Sequence, residues 1–199
     1  FSIDHDLGVP QSVEAKHPLH DKLNLQLKQP MQKGMLYALP LCANLADYSG
    51  NTINEPAVVQ FGLPAKALQG DVLINEVLFN PLPGGADFVE LYNHASYPLD
   101  LGQLFLATRN DSGLLAGPQQ IAPQGRLLLP GAYVAVTEDP EIVRTHYPEA
   151  QDHDVLRIAD LPSLSSDKGY IAVTSRQGTV LDALSYHEDM HNPLLVSQD

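Results

Sequence analysis

The chain has 199 residues, 44% of them hydrophobic, which is enough for one large or two ordinary domains with buried cores. Its 24 acidic residues against 11 basic ones give a formal charge of −13, which argues against a nucleic-acid backbone or an anionic membrane surface as partner. No run of about 18 apolar residues is present to span a membrane. The single cysteine, Cys42, lies in the apolar run LYALPLCANL and reads as a small buried hydrophobe, so cysteine usage leaves the redox compartment open. The chain starts at Phe1 without Met or a signal peptide and is expected to be a processed or excised fragment.

In chain order, Leu23, Leu25 and Leu27 alternate with Asn24, Gln26 and Lys28, the period-two pattern of a half-buried strand. Lys33-Gly34 makes a turn, Met35, Tyr37, Leu39 and Leu41 alternate again, and the polar turn Asp47 to Asn51 precedes a strand from Val58 to Leu63. A boundary is expected near Gly70, after the short connection PAKALQG. Residues 1–69 carry 6 acids and 5 Lys, net −1, while residues 70–199 carry 18 acids and 6 bases, net −12.

Asp71 to Asn93, DVLINEVLFNPLPGGADFVELYN, reads as a β-hairpin. Val72, Ile74, Glu76 and Leu78 alternate with Leu73, Asn75, Val77 and Phe79, which places apolar residues on both faces and predicts a strand covered on both sides. Pro81, Pro83, Gly84 and Gly85 stop that strand, because proline removes a ladder donor and glycine permits positive φ. Asp87 to Tyr92 then resumes it. Pro98 to Thr108 and Gly125 to Thr137 are further strands, the latter broken at Pro130-Gly131, with a loop from Asn110 to Pro123 between them. Pro140 to Tyr147 is the best helix, with proline in its first turn. Val155 to Ile158, Tyr170 to Thr174 and Thr179 to Tyr186 complete an all-β second domain of seven or eight strands.

INEVLFNP, the Gly-Gly turn and DFVELYN together resemble the opening of bacterial lamin-tail domains. So do Leu99-Asp100-Leu101, Leu129-Pro130-Gly131, Leu161-Pro162-Ser163 with Asp167 and Gly169, and Asp182 with Tyr186 to Pro193, in that order. The resemblance implies an immunoglobulin-like β-sandwich over residues 70–199, without catalytic residues or cofactor. It also implies a place outside the cell or on its surface, in a larger bacterial protein. YALPLCANLADYSGN resembles the late strands of a bacterial Ig-like domain. Such a sandwich needs about 100 residues and seven strands, so residues 1–69 are expected to be a partial Ig-like domain, incomplete at its N-terminus. Related lamin-tail sequences continue into a further Gly-x-Ser-Leu-Glu-Arg strand. A chain ending at Asp199 is therefore expected to leave an edge open to self-association.

Three patterns carry potential chemistry. His187-Glu188-Asp189-Met190-His191 satisfies H-E-x-x-H, the zinc-hydrolase signature, in which His187 and His191 would hold the metal beside Glu188. That chemistry needs a helix, whereas this segment follows a strand and meets Asn192-Pro193, and proline disfavours helix in the residue before it. A surface loop is the stronger reading. Glu76 and Glu90, on adjacent strands, could form an acid–base pair, but strand carboxylates more often accept local hydrogen bonds, as Asn75 and Asn93 would satisfy turn and backbone groups. Acids at Glu138, Asp139 and Glu141, and at Glu149, Asp152 and Asp154, could supply oxygen ligands for a calcium-stabilised adhesin, although neither group has EF-hand spacing. The expectation is therefore a non-enzymatic module, binding a protein or glycan or acting as a spacer. Asn75, Glu76, Gly84, Gly85, Asp87, Glu90 and Asn93 are taken as structural.

Overall fold

The computed structural model describes residues 1–16, 22–41, 45–47, 49–52 and 57–190. The chain divides into two units, Phe1–Ala65 and Lys66–Asp199. Cys42 lies outside the described residues. No helix among them is long and apolar enough to cross a membrane.

The first unit is two antiparallel hairpins. β1 (Ser12–Ala15) pairs with β2 (Leu23–Gln26), and β3 (Leu36–Leu41) with β4 (Ala57–Gly62). Alternation along β3 buries Tyr37 and Leu39, which join Ile3 and Leu7 in a small core flanked by Leu25, Leu27, Met31 and Phe61. Tyr37 is its centre. The ring stacks on Phe61 at 5.8 Å and the hydroxyl accepts the Gln32 N–H at 2.8 Å, so the buried phenol keeps a polar partner. The polar turn is tied by Asp47, whose carboxylate accepts the N–H groups of Ser49 and Asn51 and the Asn51 side-chain amide, each at 2.8 Å. Those bonds hold its pKa below the ordinary value.

The second unit is a sandwich of two four-stranded sheets. Its strands are β5 (Val72–Leu78), β6 (Phe88–Asn93), β7 (Leu99–Asp100), β8 (Leu104–Arg109), β9 (Leu115–Gln120), β10 (Leu127–Leu128), β11 (Tyr133–Thr137), β12 (Val155–Arg157), β13 (Lys168–Ser175) and β14 (Val180–His187). One sheet runs β12-β11-β6-β5, the other β14-β13-β8-β9, and β10 pairs with β7. Val89 and Leu91 of β6, Val134 and Val136 of β11, and Leu156 of β12 face Leu104, Leu106, Ile171, Val173 and Leu181 of the second sheet. Each such side chain contributes about 1.5–3 kcal/mol relative to full exposure. This core holds the fold together. α1 (Pro140–His146) lies on the outer side of the first sheet, where Val143 packs with Phe88, Ala135 and Val155.

The structure corrects four sequence expectations. The first concerns β5, which is an edge strand with Asn75 and Glu76 exposed rather than a strand covered on both sides. Its register shifts between Ile74, opposite Leu91, and Glu76, opposite Glu90, so Asn75 is the extra residue of a β-bulge. A bulge reverses the alternation. Val72, Ile74, Val77 and Phe79 consequently all meet the same core, although a strict period of two assigns them to opposite faces. The second is the expected loop from Asn110 to Pro123, which contains β9. This edge strand is made by pairing with β8 rather than by its own propensity, and Pro118 and a register shift opposite Leu106–Thr108 blunt its free side.

Third, the strand expected from Pro98 to Thr108 is broken by a 3-10 turn, Leu101–Gln103, where the Asp100 carboxylate accepts the Gly102 N–H at 2.8 Å. Fourth, ten strands among the described residues replace the seven or eight expected, because the 3-10 turn separates β7 from β8, the turn at Leu129–Gly131 separates β10 from β11, and β9 is added beside its neighbour β8.

Candidate functional site

The hairpin residues fall into two groups with different surroundings. Asn93 is fully buried. Its side-chain amide donates to the Tyr97 and Leu128 carbonyls at 3.0 and 2.8 Å, while its side-chain oxygen accepts the Ala95 N–H at 2.9 Å. Its backbone donates to the Ala132 carbonyl and accepts from Gly131. Asn93 thus ties the end of β6 to the turns before β7 and β11. Nearby, Asp71 accepts the Leu68 N–H at 2.6 Å and the Tyr97 hydroxyl, a bond that pushes the phenol up to about 12. At the hairpin tip Gly84 has φ +82°, and a side chain on Gly85 would sit 2.8 Å from Pro81 Cβ and 2.9 Å from the Leu82 carbonyl. Both positions require glycine.

Asn75, Glu76 and Glu90 lie instead on the outer surface. The bulge sets Glu76 directly opposite Glu90, and the Asn75 amide donates to Glu90 Oε1 at 2.5 Å. Partial burial and the charge of Glu90 raise the Glu76 pKa above the ordinary carboxylate value. Tyr147, the residue capping the C-terminus of α1, packs edge-on to Phe88 at 5.8 Å, and burial and the Glu76 charge raise its pKa. On the other side, Leu73, Tyr92 and Tyr133 form a row across three strands, with the two rings 4.6 Å apart and Tyr133 46% exposed. A cleft of about 740 Å³ opens beside them, lined by Glu90, Arg126, Leu129, Tyr133, His153 and Asp154 among others. A carboxylate pair is framed by tyrosines.

The family model for the lamin tail domain matches residues 65–188, which carry both groups. The chain belongs to the lamin tail domain family. This is a family of Ig-like interaction and structural domains, in keeping with the all-β sandwich of the second unit. No curated protein matches the sequence.

Within the lamin tail domain, Asp87 lines a second cleft, of about 500 Å³, with Glu138, Asp139 and residues 161–164. Burial and the Glu138 charge push the Asp87 pKa up, and its backbone carbonyl accepts the Thr137 hydroxyl at 2.7 Å. The acids considered as calcium ligands have partners of their own. Glu138 accepts the Leu161 N–H at 2.8 Å, Glu141 and Asp152 pair with Arg144 at 2.6 and 3.5 Å, Asp139 lies 3.9 Å from Arg157, and Asp154 accepts the Gln151 N–H at 3.0 Å. Glu149 offers its backbone carbonyl to the Gln151 side chain. His187 ends β14 and Glu188 starts a single 3-10 turn, both exposed, while His191 lies outside the described residues. Among the described residues no group of three or more His, Cys, Asp or Glu is arranged to hold a metal.

Sequence reasoning singled out Glu76 and Glu90 but missed Tyr92, Tyr133 and Tyr147. The available signal was the position of Tyr92 two residues after Glu90, hence on the same face of one strand. Tyr133 and Tyr147 join that face only through sheet pairing and helix placement.

Proposed function

We propose that this chain is a non-enzymatic interaction module of a larger secreted or cell-surface bacterial protein, and that its partner meets the outer face of the β5–β6–β11–β12 sheet. We further read residues 70–199 as the lamin-tail domain and residues 1–69 as the end of an Ig-like domain preceding it. The observation that carries the reading is the uncovered half of that face. α1 seals Phe88, Ala135 and Val155, yet Glu76 and Tyr133 beside them stay exposed. Exposed aromatic groups next to a cleft are what binding surfaces commonly use. The seven hairpin residues then divide into a scaffold of Gly84, Gly85, Asp87 and Asn93, and a display of Asn75, Glu76 and Glu90.

The test is to titrate the ¹⁵N-labelled chain, purified without a metal-chelating column, with panels of peptides and oligosaccharides. Shifts confined to the amides of Leu73, Glu90, Tyr92 and Tyr133, without turnover, are expected. Stoichiometric zinc that disappears in His187→Ala, together with product release, would overturn the reading in favour of a hydrolase.

A further inference from the structure

Resting on that reading, we infer that the open part of this sheet face takes up a lysine- or arginine-bearing segment of a protein partner. The cationic head sits on the Glu76–Glu90 pair, and the aliphatic stem lies along Tyr92 and Tyr133.

Two like charges directly opposite each other in an antiparallel pair repel, so a sequence that keeps them needs a compensating group. Among the described residues none supplies it. The Asn75 amide gives Glu90 one neutral donor, and no basic side chain forms an ion pair with either carboxylate. Arg126 borders the same cleft, but its guanidinium donates to the His153 carbonyl, and His153 itself lies 3.4 Å from Asp154. His94, with its ring 6.1 Å from Tyr92, is directed to the Gly70 carbonyl at 3.3 Å.

An incoming Lys or Arg would complete the site in three ways. Its charge would offset both carboxylates. The ring faces would hold its stem and attract its head, and the cleft beside Tyr133 leaves room for a neighbouring residue of the same segment. At longer range, the net charge of −12 over residues 70–199 favours encounter with a basic partner. A neutral sugar could stack on Tyr133 but would leave the carboxylate repulsion in place. Charge complementarity therefore selects the basic peptide.

The experiment titrates the full chain with three decapeptides, alternating glycine with lysine, serine or glutamate, and with a soluble neutral hexasaccharide, following amide shifts at 20 and 200 mM salt. Only the lysine peptide should shift Leu73, Glu90, Tyr92 and Tyr133, with at least tenfold weaker binding at the higher salt. Glu76→Gln with Glu90→Gln should weaken it tenfold or more without lowering the thermal midpoint, and Tyr133→Ala severalfold. The salt dependence of the unaltered chain decides the matter should a variant fail to fold. Lysine-peptide binding that leaves these amides unmoved, or that the double Gln variant retains, overturns the inference. Saccharide binding at the same amides that is indifferent to the Gln changes also overturns it, while the interaction-module reading stands. If neither peptides nor saccharide perturb the face, both readings fail.

Discussion

The two units differ in how much of their structure is held by burial. Among the described residues the second unit's main core assembles 21 buried residues from both sheets, whereas the first unit gathers four, Ile3, Leu7, Tyr37 and Leu39, beneath a pair of two-stranded sheets. Two strands alone are marginal in water. Val58 and Val59 of β4 are 61% and 45% exposed, so that strand adds little buried surface of its own. The comparison teaches that similar strand patterns in sequence can encode unequal stability, since alternation fixes which side faces inward but not how much lies opposite it.

The strongest way to break that comparison is Tyr37→Ala. Removing a buried aromatic costs about 3–5 kcal/mol, against roughly 3–10 kcal/mol for a unit of this length at typical stability per residue. Thermal unfolding should lose the first unit's transition while the second unit's remains in place. A single transition lowered as a whole would show that the two units unfold as one. Asn93→Ala addresses the second unit. It strands the Tyr97 and Leu128 carbonyls and the Ala95 N–H in a buried site, at a cost of about 2–4 kcal/mol. Denaturant titration should show a lower midpoint with the fold retained, and a change under about 0.5 kcal/mol would mean water replaces the amide.

Glu76→Gln should have the smallest effect and the opposite sign. The folded-state pKa of Glu76 is raised by partial burial and by Glu90, with Tyr147 on its other side. Its contribution to stability is therefore fully present below the ordinary carboxylate pKa and is lost as pH rises through the raised folded value. Replacing it should stabilise the second unit at pH 7 by less than about 1 kcal/mol, reduced further by solvent screening. It should also flatten the stability profile above the ordinary carboxylate pKa. Equal profiles for both proteins between pH 4 and 7 would sink this account.

Much of the second unit was legible because its signals are local. The hairpin turn, the helix opened by Pro140 and the apolar runs of β11, β13 and β14 each carry their own periodicity or breaker. β9 was not legible, since LAGPQQ has weak strand propensity and becomes a strand only against β8. The same limit applied to the candidate site. Glu76 and Glu90 could be placed on adjacent strands, but their direct opposition depends on the bulge, and Tyr133 and Tyr147 reach them through tertiary placement. Asn93 was read as a satisfier of backbone groups; the identity of its partners, 4 and 35 residues away, lay beyond any local pattern.

The bulge at Asn75 also bears on how such chains are aligned. Because no β6 residue stands opposite Asn75 in the register, a chain one residue shorter at this point would keep Ile74 over Leu91 and Glu76 against Glu90, now as consecutive residues facing opposite sides. Single-residue length variation is therefore neutral for the core at this site, where elsewhere in the strand it would turn every later side chain over. An alignment that forbids a gap here would set the inward positions of one chain against the outward positions of another and make two compatible hairpins look unrelated.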